Sequence, residues 1–136
     1  MLKVKEVLLV DDSEGTNDLN TLLLTEMNVV EKISTALNGR LALDYLMTKN
    51  IDGNYPNPSL ILLDINMPVM DGYQFLDAYD QLDEEMKANQ IIVMLTTSIS
   101  EIDIDKAKGY KYIKGYYFKP LDEEKMNQIL EGIKEN

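Results

Sequence analysis

Leu60-Ile61-Leu62-Leu63-Asp64-Ile65-Asn66-Met67-Pro68-Val69-Met70-Asp71-Gly72 decides how this chain is read. Four apolar residues in a row, with no polar alternation, mark a strand covered on both faces. The run stops at a carboxylate, and Pro68 and Gly72 then mark a turn. A charged residue at the end of such a strand points to the sheet edge where open α/β folds place their sites.

Three more pieces repeat the pattern. Asp11-Asp12 follows Val7-Leu8-Leu9-Val10, Thr96-Thr97-Ser98 follows Ile91-Ile92-Val93-Met94-Leu95, and Lys119-Pro120 follows Gly115-Tyr116-Tyr117-Phe118. A further strand is expected over Val29 to Ala36. Between the strands the apolar period changes to that of helices: Leu19, Leu22, Leu23 and Met27; Ala42, Leu43 and Leu46; Phe75, Leu76, Tyr79 and Leu82. A polar helix is expected near Ile102 to Lys108, and a last one with Met126, Ile129, Leu130 and Ile133 on one face, capped by Asp122. Asn50 to Ser59, rich in Asn, Gly and Pro, reads as a loop. Five strands alternating with five helices imply an α/β fold with a parallel sheet and right-handed crossovers. Residues 1–136 read as one domain with no output domain, since only Glu135-Asn136 follows the last helical stripe.

Composition narrows the chemistry. Hydrophobic residues make up 45% of the 136, enough for a packed core. With no Cys there is no disulfide, thiol nucleophile or thiolate metal site, and with no His the commonest general base is missing. Asp, Glu, Lys, Ser, Thr and Tyr must do whatever is done. A net charge of -11 argues against nucleic acid and against anionic lipid. No apolar run approaches the roughly 20 residues of a membrane span, and Met1 to Glu6 is too short and interrupted for a signal peptide. The expectation is a cytoplasmic protein.

If the four strand ends are neighbours, carboxylates, a hydroxyl and a lysine meet. Asp11-Asp12 reads either as a solvated turn capping a helix or as a cation site, because adjacent carboxylates repel each other and a hard cation removes that cost. Asp64 reads either as a strand end entering a turn or as a carboxylate nucleophile that forms an aspartyl phosphate. Thr96-Thr97-Ser98 suits helix capping, and equally a hydroxyl that bonds a phosphoryl group. Lys119 at the inner end of a strand is costly unless paired, and Asp64 is the obvious partner. Pro120 raises the possibility of a cis bond. Tyr116 and Tyr117 alternate across their strand and face opposite ways.

In order and spacing, these pieces resemble the receiver domain of two-component response regulators over nearly the whole chain. The resemblance implies a flavodoxin-like, doubly wound sheet of order 2-1-3-4-5. It implies that Asp64 accepts a phosphoryl group from a sensor histidine kinase or a histidine phosphotransfer protein, with Mg²⁺ (or Mn²⁺) as cofactor. The metal would be held by Asp11 or Asp12, by Asp64 and by the main-chain carbonyl of Asn66. Lys119 would bind the phosphoryl group, Thr96 would move toward it, and Tyr116 would follow as the switch aromatic. Asn66 and Ser98 hold the positions that tune dephosphorylation, and the Lys119-Pro120 bond would be cis. The helix near Ile102 to Lys108, the fifth strand and the last helix would form the signalling surface for a downstream protein, the chain being a monomer or weak homodimer. Thr97 stands where a smaller residue is common.

Two other classes fit less well. A dehalogenase-like phosphatase also uses an Asp after a strand, but places its general acid two residues later, where this chain has Asn66. A flavin phosphate loop is neutral and rich in hydroxyls, whereas Asp11-Asp12-Ser13-Glu14 would repel a phosphate. The expectation is therefore a phosphoaccepting protein that acts only on its own phosphorylation state and is not a multiple-turnover enzyme.

Overall fold

The computed structural model describes residues 3–87, 90–97, 109, 110 and 112–134. In chain order the elements are β1 (Val4–Val10), α1 (Glu14–Met27), β2 (Val30–Ala36), α2 (Gly39–Met47), β3 (Leu60–Asp64) and α3 (Gly72–Asp80). A single helical turn, α4 (Glu84–Lys87), then leads to β4 (Ile91–Thr96), β5 (Ile113–Phe118) and α5 (Glu123–Lys134). The helix expected near Ile102 to Lys108, and Ser98 with it, lie outside the described residues. The turn α4 takes up part of the acidic run Asp83-Glu84-Glu85, which carries no apolar signal of its own.

All four strand pairings are parallel, and the sheet order is β2-β1-β3-β4-β5, the flavodoxin-like order expected. The continuous apolar runs are what a sheet covered on both faces requires. Successive side chains go to opposite faces. Leu8, Val10, Ile61, Leu63, Ile92 and Met94 pack with Leu43 and Leu46 of α2 and with Phe75, Leu76 and Tyr79 of α3. Val7, Leu9, Leu60, Leu62, Val93 and Leu95 pack with Leu24 of α1 and with Met126 and Ile129 of α5. Tyr116 joins the first layer and Tyr117 the second.

Helix α1 departs from the expectation. Leu19 is 69% exposed and Leu22 54% exposed, while the buried positions are Asn17, Asn20 and Leu24. The helix is rolled so that Asn17 donates its side-chain amide to the main-chain carbonyl of Asp11, 3.1 Å away. A buried polar contact of this kind outranks leucine periodicity, because an unpaired buried carbonyl costs about 1–3 kcal/mol. Ala42, Leu43 and Leu46 of α2, Phe75, Leu76 and Tyr79 of α3, and Met126 and Ile129 of α5 are buried as the sequence nominates, while Leu82, Leu130 and Ile133 are half-buried, and Asp122 caps α5 by accepting from the Lys125 amide at 2.8 Å.

Between β3 and α3 the chain turns back on itself. The Gly72 amide donates to the Ile65 carbonyl at 2.7 Å, and Asp71 and Gln74 form a reciprocal cap on α3. A Cβ on Gly72 would stand 2.9 Å from the Asp64 carbonyl oxygen and 2.9 Å from the Ile65 Cα, both main-chain atoms that cannot step aside. Gly72→Ala is therefore expected to destabilise the fold by about 2 kcal/mol, the usual scale of overpacking. Urea titration of the two proteins checks it, and an unchanged midpoint would contradict the close approach.

Candidate functional site

The sheet order brings the ends of β1 and β3 side by side. Val10 pairs with Leu63, so the next residues along each strand, Asp11 and Asp64, emerge together. Asp64 pairs across to Leu95, and Thr96 to Phe118, which places the end of β4 and then Lys119 along the same edge. Asp11, Asp64 and Thr96 are buried, Lys119 is half-buried, and Asp12, Asn66, Thr97 and Pro120 are exposed. Asp11, Asp64, Thr96 and Lys119 thus gather at one edge, while Tyr116 pairs with Met94 within the sheet and Ser98 lies outside the described residues.

Lys119 is the hub. Its Nζ lies 2.8 Å from Asp11 Oδ2 and 3.1 Å from Asp64 Oδ1. Asp64 is thus a partner, as expected, but Asp11 is the nearer one. Burial works against the ammonium, yet its hydrogen bond to Asp11 and the charges of Asp64 and Asp11 outweigh that and hold its pKa above the usual lysine value. The Lys119 main-chain N–H donates to the Thr96 carbonyl at 2.7 Å, so the ends of β4 and β5 are joined at the site. The Lys119-Pro120 peptide is cis.

The pKa of Asp64 is raised as well, which for a carboxyl disfavours the charged form. Desolvation, partly offset by Lys119 and reinforced by the charges of Asp11 and Asp12, pushes its carboxyl from 3.8 up to about 6. Asp11 is held from a second side by the Ser13 amide, which donates to Oδ1 at 2.9 Å, while the Ser13 hydroxyl accepts from the Thr16 amide and starts α1. Ser13 and Asn17 were not nominated from sequence. A hydroxyl at a helix start and an amide one turn later are too common to stand out, and only their contacts with Asp11 single them out.

Asp11, Asp12 and Asp64 each offer a carboxylate oxygen within 4.8 Å of the others. Hard oxygen donors at this spacing, with an excess of negative charge beyond what Lys119 neutralises, fit a small divalent cation such as Mg²⁺. In the loop between β3 and α3, Val69 holds a left-handed backbone, φ 70°, and is 81% exposed. A β-branched residue in that region is strained, and no contact in the core recoups the cost.

The sequence model of the family described as "Response regulator receiver domain" matches residues 7–131. The chain belongs to the response regulator receiver family. This receiver is 31% identical over 129 residues to the probable methanogenesis regulatory protein FilR2 of Methanothrix harundinacea, covering 95% of this chain and 81% of that one. It is 30% identical over 132 residues to sporulation initiation phosphotransferase F of Bacillus subtilis, covering 96% and 91%. Among solved structures, a two-component response regulator from Cytophaga hutchinsonii superposes with a TM-score of 0.83 at 30% identity, over 98% of this chain and 99% of that chain. Family membership makes this a phosphoaccepting type of domain. Among the described residues no helix is long and apolar enough to cross a membrane.

Two outcomes follow from the charges and the strained loop. A carboxyl whose pKa rises on folding binds its proton more tightly in the folded chain, so Asp64 subtracts stability as pH climbs from about 4 through about 6 and the loss is complete above that. Asp64→Asn is expected to stabilise the metal-free protein at pH 7 by on the order of 2 kcal/mol, with the gain fading as pH falls toward 4. Denaturant titrations at several pH values check this, and a gain independent of pH would contradict it. Val69→Asn should stabilise by about 1 kcal/mol, since Asn tolerates the left-handed region; calorimetry showing no rise in melting temperature would count against strain there.

Proposed function

We propose that this receiver takes a phosphoryl group on Asp64 from a phosphohistidine of a sensor kinase or phosphotransfer protein. The observation that carries the reading is the geometry at Asp64: a buried carboxylate at a strand end, 3.1 Å from the Lys119 ammonium and grouped with Asp11 and Asp12. In the step, an Asp64 carboxylate oxygen attacks phosphorus in line, the P–N bond to imidazole breaks, and the imidazole leaves with the electron pair. Lys119 then moves its hydrogen bond from Asp64 to a phosphoryl oxygen, and so keeps a charged partner throughout. Asp11, Asp12, Asp64 and the Asn66 carbonyl are the groups that would hold Mg²⁺ (or Mn²⁺), which when bound neutralises charge on the phosphoryl oxygens.

The same arrangement supplies a switch. Thr96 sits at the end of β4 and shares a main-chain hydrogen bond with Lys119, so a shift of Lys119 toward a phosphoryl oxygen is felt at Thr96. Tyr116 lies half-buried on the first core layer, three residues before Lys119, and follows as the aromatic of the switch. Phosphorylation would bias two arrangements of β5, α5 and the segment Ile102 to Lys108, and a downstream protein would bind one of them. Asn66 stands exposed beside Asp64, where it tunes the approach of the hydrolytic water, with Ser98 as the second such position. The domain changes only its own phosphorylation state and works in the cytoplasm, as a monomer or weak homodimer. Its likeness to a relative named a phosphotransferase supports a place in a phosphorelay.

The test is intact mass after incubation with acetyl phosphate and Mg²⁺. The expected result is one acid-labile phosphoryl adduct, absent in Asp64→Asn and absent when magnesium is chelated. An adduct that persists in Asp64→Asn would move the acceptor elsewhere, and no adduct from either acetyl phosphate or a phosphorylated kinase would sink the reading.

A further inference from the structure

Helix α5 begins with an electrostatic conflict. Glu123 and Glu124 suit the positive end of a helix, but Lys125, in the same first turn, does not. A local rule broken in this way calls for a compensating contact. The contact is present: Lys125 Nζ donates to the Phe118 carbonyl at 2.7 Å and to the Pro120 carbonyl at 2.9 Å. These are the two main-chain carbonyls that flank Lys119.

The reach follows from helix geometry. Asp122 accepts from the Lys125 amide and sets the start of α5. Side chains on a helix lean toward its N-terminus, so Lys125 points back over the loop that carries Lys119. The backbone of Lys119 is then held on two sides. Its own N–H is bound to the Thr96 carbonyl, and the carbonyls before and after it are bound to a single ammonium. A long, flexible lysine side chain is aimed well only if its backbone is fixed, and Lys119 Nζ must serve two carboxylates at 2.8 and 3.1 Å.

We propose that Lys125 is a positioning residue for Lys119: by clasping the Phe118 and Pro120 carbonyls it fixes the loop that aims the Lys119 ammonium at Asp11 and Asp64, and so sets the rate of phosphoryl uptake. The proposal rests on Asp64 being the phosphoacceptor, but the clasp itself does not. Lys125 touches neither carboxylate. It acts through the backbone, and the same contact ties the first turn of α5 to any movement of Lys119.

The experiment compares wild type with Lys125→Met, which keeps the stem and removes the donors, and Lys125→Arg, whose fork can again span two carbonyls. Lys125→Leu, which also lacks donors, replaces the Met variant if that one does not fold. Two quantities are read: the rate of adduct formation at fixed acetyl phosphate and excess magnesium, and the Nζ resonance of Lys119 in the magnesium-free protein, assigned with Lys119→Arg. The expected result is about a tenfold slower rate and a displaced or broadened Lys119 resonance in Lys125→Met, both restored in Lys125→Arg. A purely structural lysine would change the melting temperature without moving the Lys119 resonance. With wild type phosphorylated, a Lys125→Met variant that reacts at the wild-type rate overturns the proposal. With wild type not phosphorylated, the phosphoacceptor reading fails by itself. The resonance then decides the clasp: unmoved in Lys125→Met, the proposal is wrong; moved and restored by arginine, it stands.

Discussion

Two buried carboxylates, Asp11 and Asp64, share one ammonium, that of Lys119, at the C-terminal edge of the sheet. Removing these charges from water is expensive, and only their mutual closeness and further hydrogen bonds offset the expense. The offset needs three strand ends in register. The pairing of β1 with β3 aligns the two acids, and the pairing of β4 with β5 delivers the lysine. Each strand is long enough to bury its apolar run and stops where the charge begins. The site and the core are therefore one construction, since a slip of one residue would turn every core side chain to the other face and carry the charges apart.

The parts around the site serve that meeting. Ser13 begins α1 and also holds Asp11 through its amide, while Asn17, one turn later, occupies the Asp11 carbonyl. Gly72 lets the chain press against the main chain of Asp64 and Ile65 before α3 starts. Polar residues thus do at the edge what leucines do in the layers. Burial, with the charges of Asp11 and Asp12 adding to it against the single ammonium of Lys119, leaves Asp64 with a carboxyl pushed up to about 6. An overall charge of -11 adds a repulsive field for any incoming phosphoryl donor. Positive charge concentrated at the site is the physical counter to both, and Lys119 is the part of it that the chain itself contributes.

Most of the architecture was legible in the sequence because its signals are local. A continuous apolar run marks a strand covered on both faces, and β1, β3 and β4 are buried along nearly their whole length. Where a run ends at Asp, Thr or Lys, the strand ends within one residue of that position. The order of the four pieces carried the resemblance to receivers, and the family comparison bears it out. Helix α1 stands where leucine periodicity puts it, but that signal misplaces its buried face at Leu19 and Leu22. Its roll was decided by the hydrogen bond from Asn17 to Asp11, a contact that leaves no periodic trace. The single turn α4 carries no apolar stripe, and its one local sign is the acidic run Asp83-Glu84-Glu85, which suits a solvated helix face or end.

By itself the amino-acid sequence determined the fold class, the strand ends, the absence of thiol and imidazole chemistry, and which residue types stand at the sheet edge. Those follow from short-range patterning, which the chain carries wherever it goes. Only the tertiary structure decided that Lys119 lies nearer to Asp11 than to Asp64, that Ser13 and Asn17 hold Asp11, and that Lys125 grips the carbonyls on either side of Lys119. Asp11 and Lys119 are 108 positions apart. Which of several eligible charges meet across such a separation is settled by strand order and register, and these are set by the packing of both core layers at once rather than by any one segment.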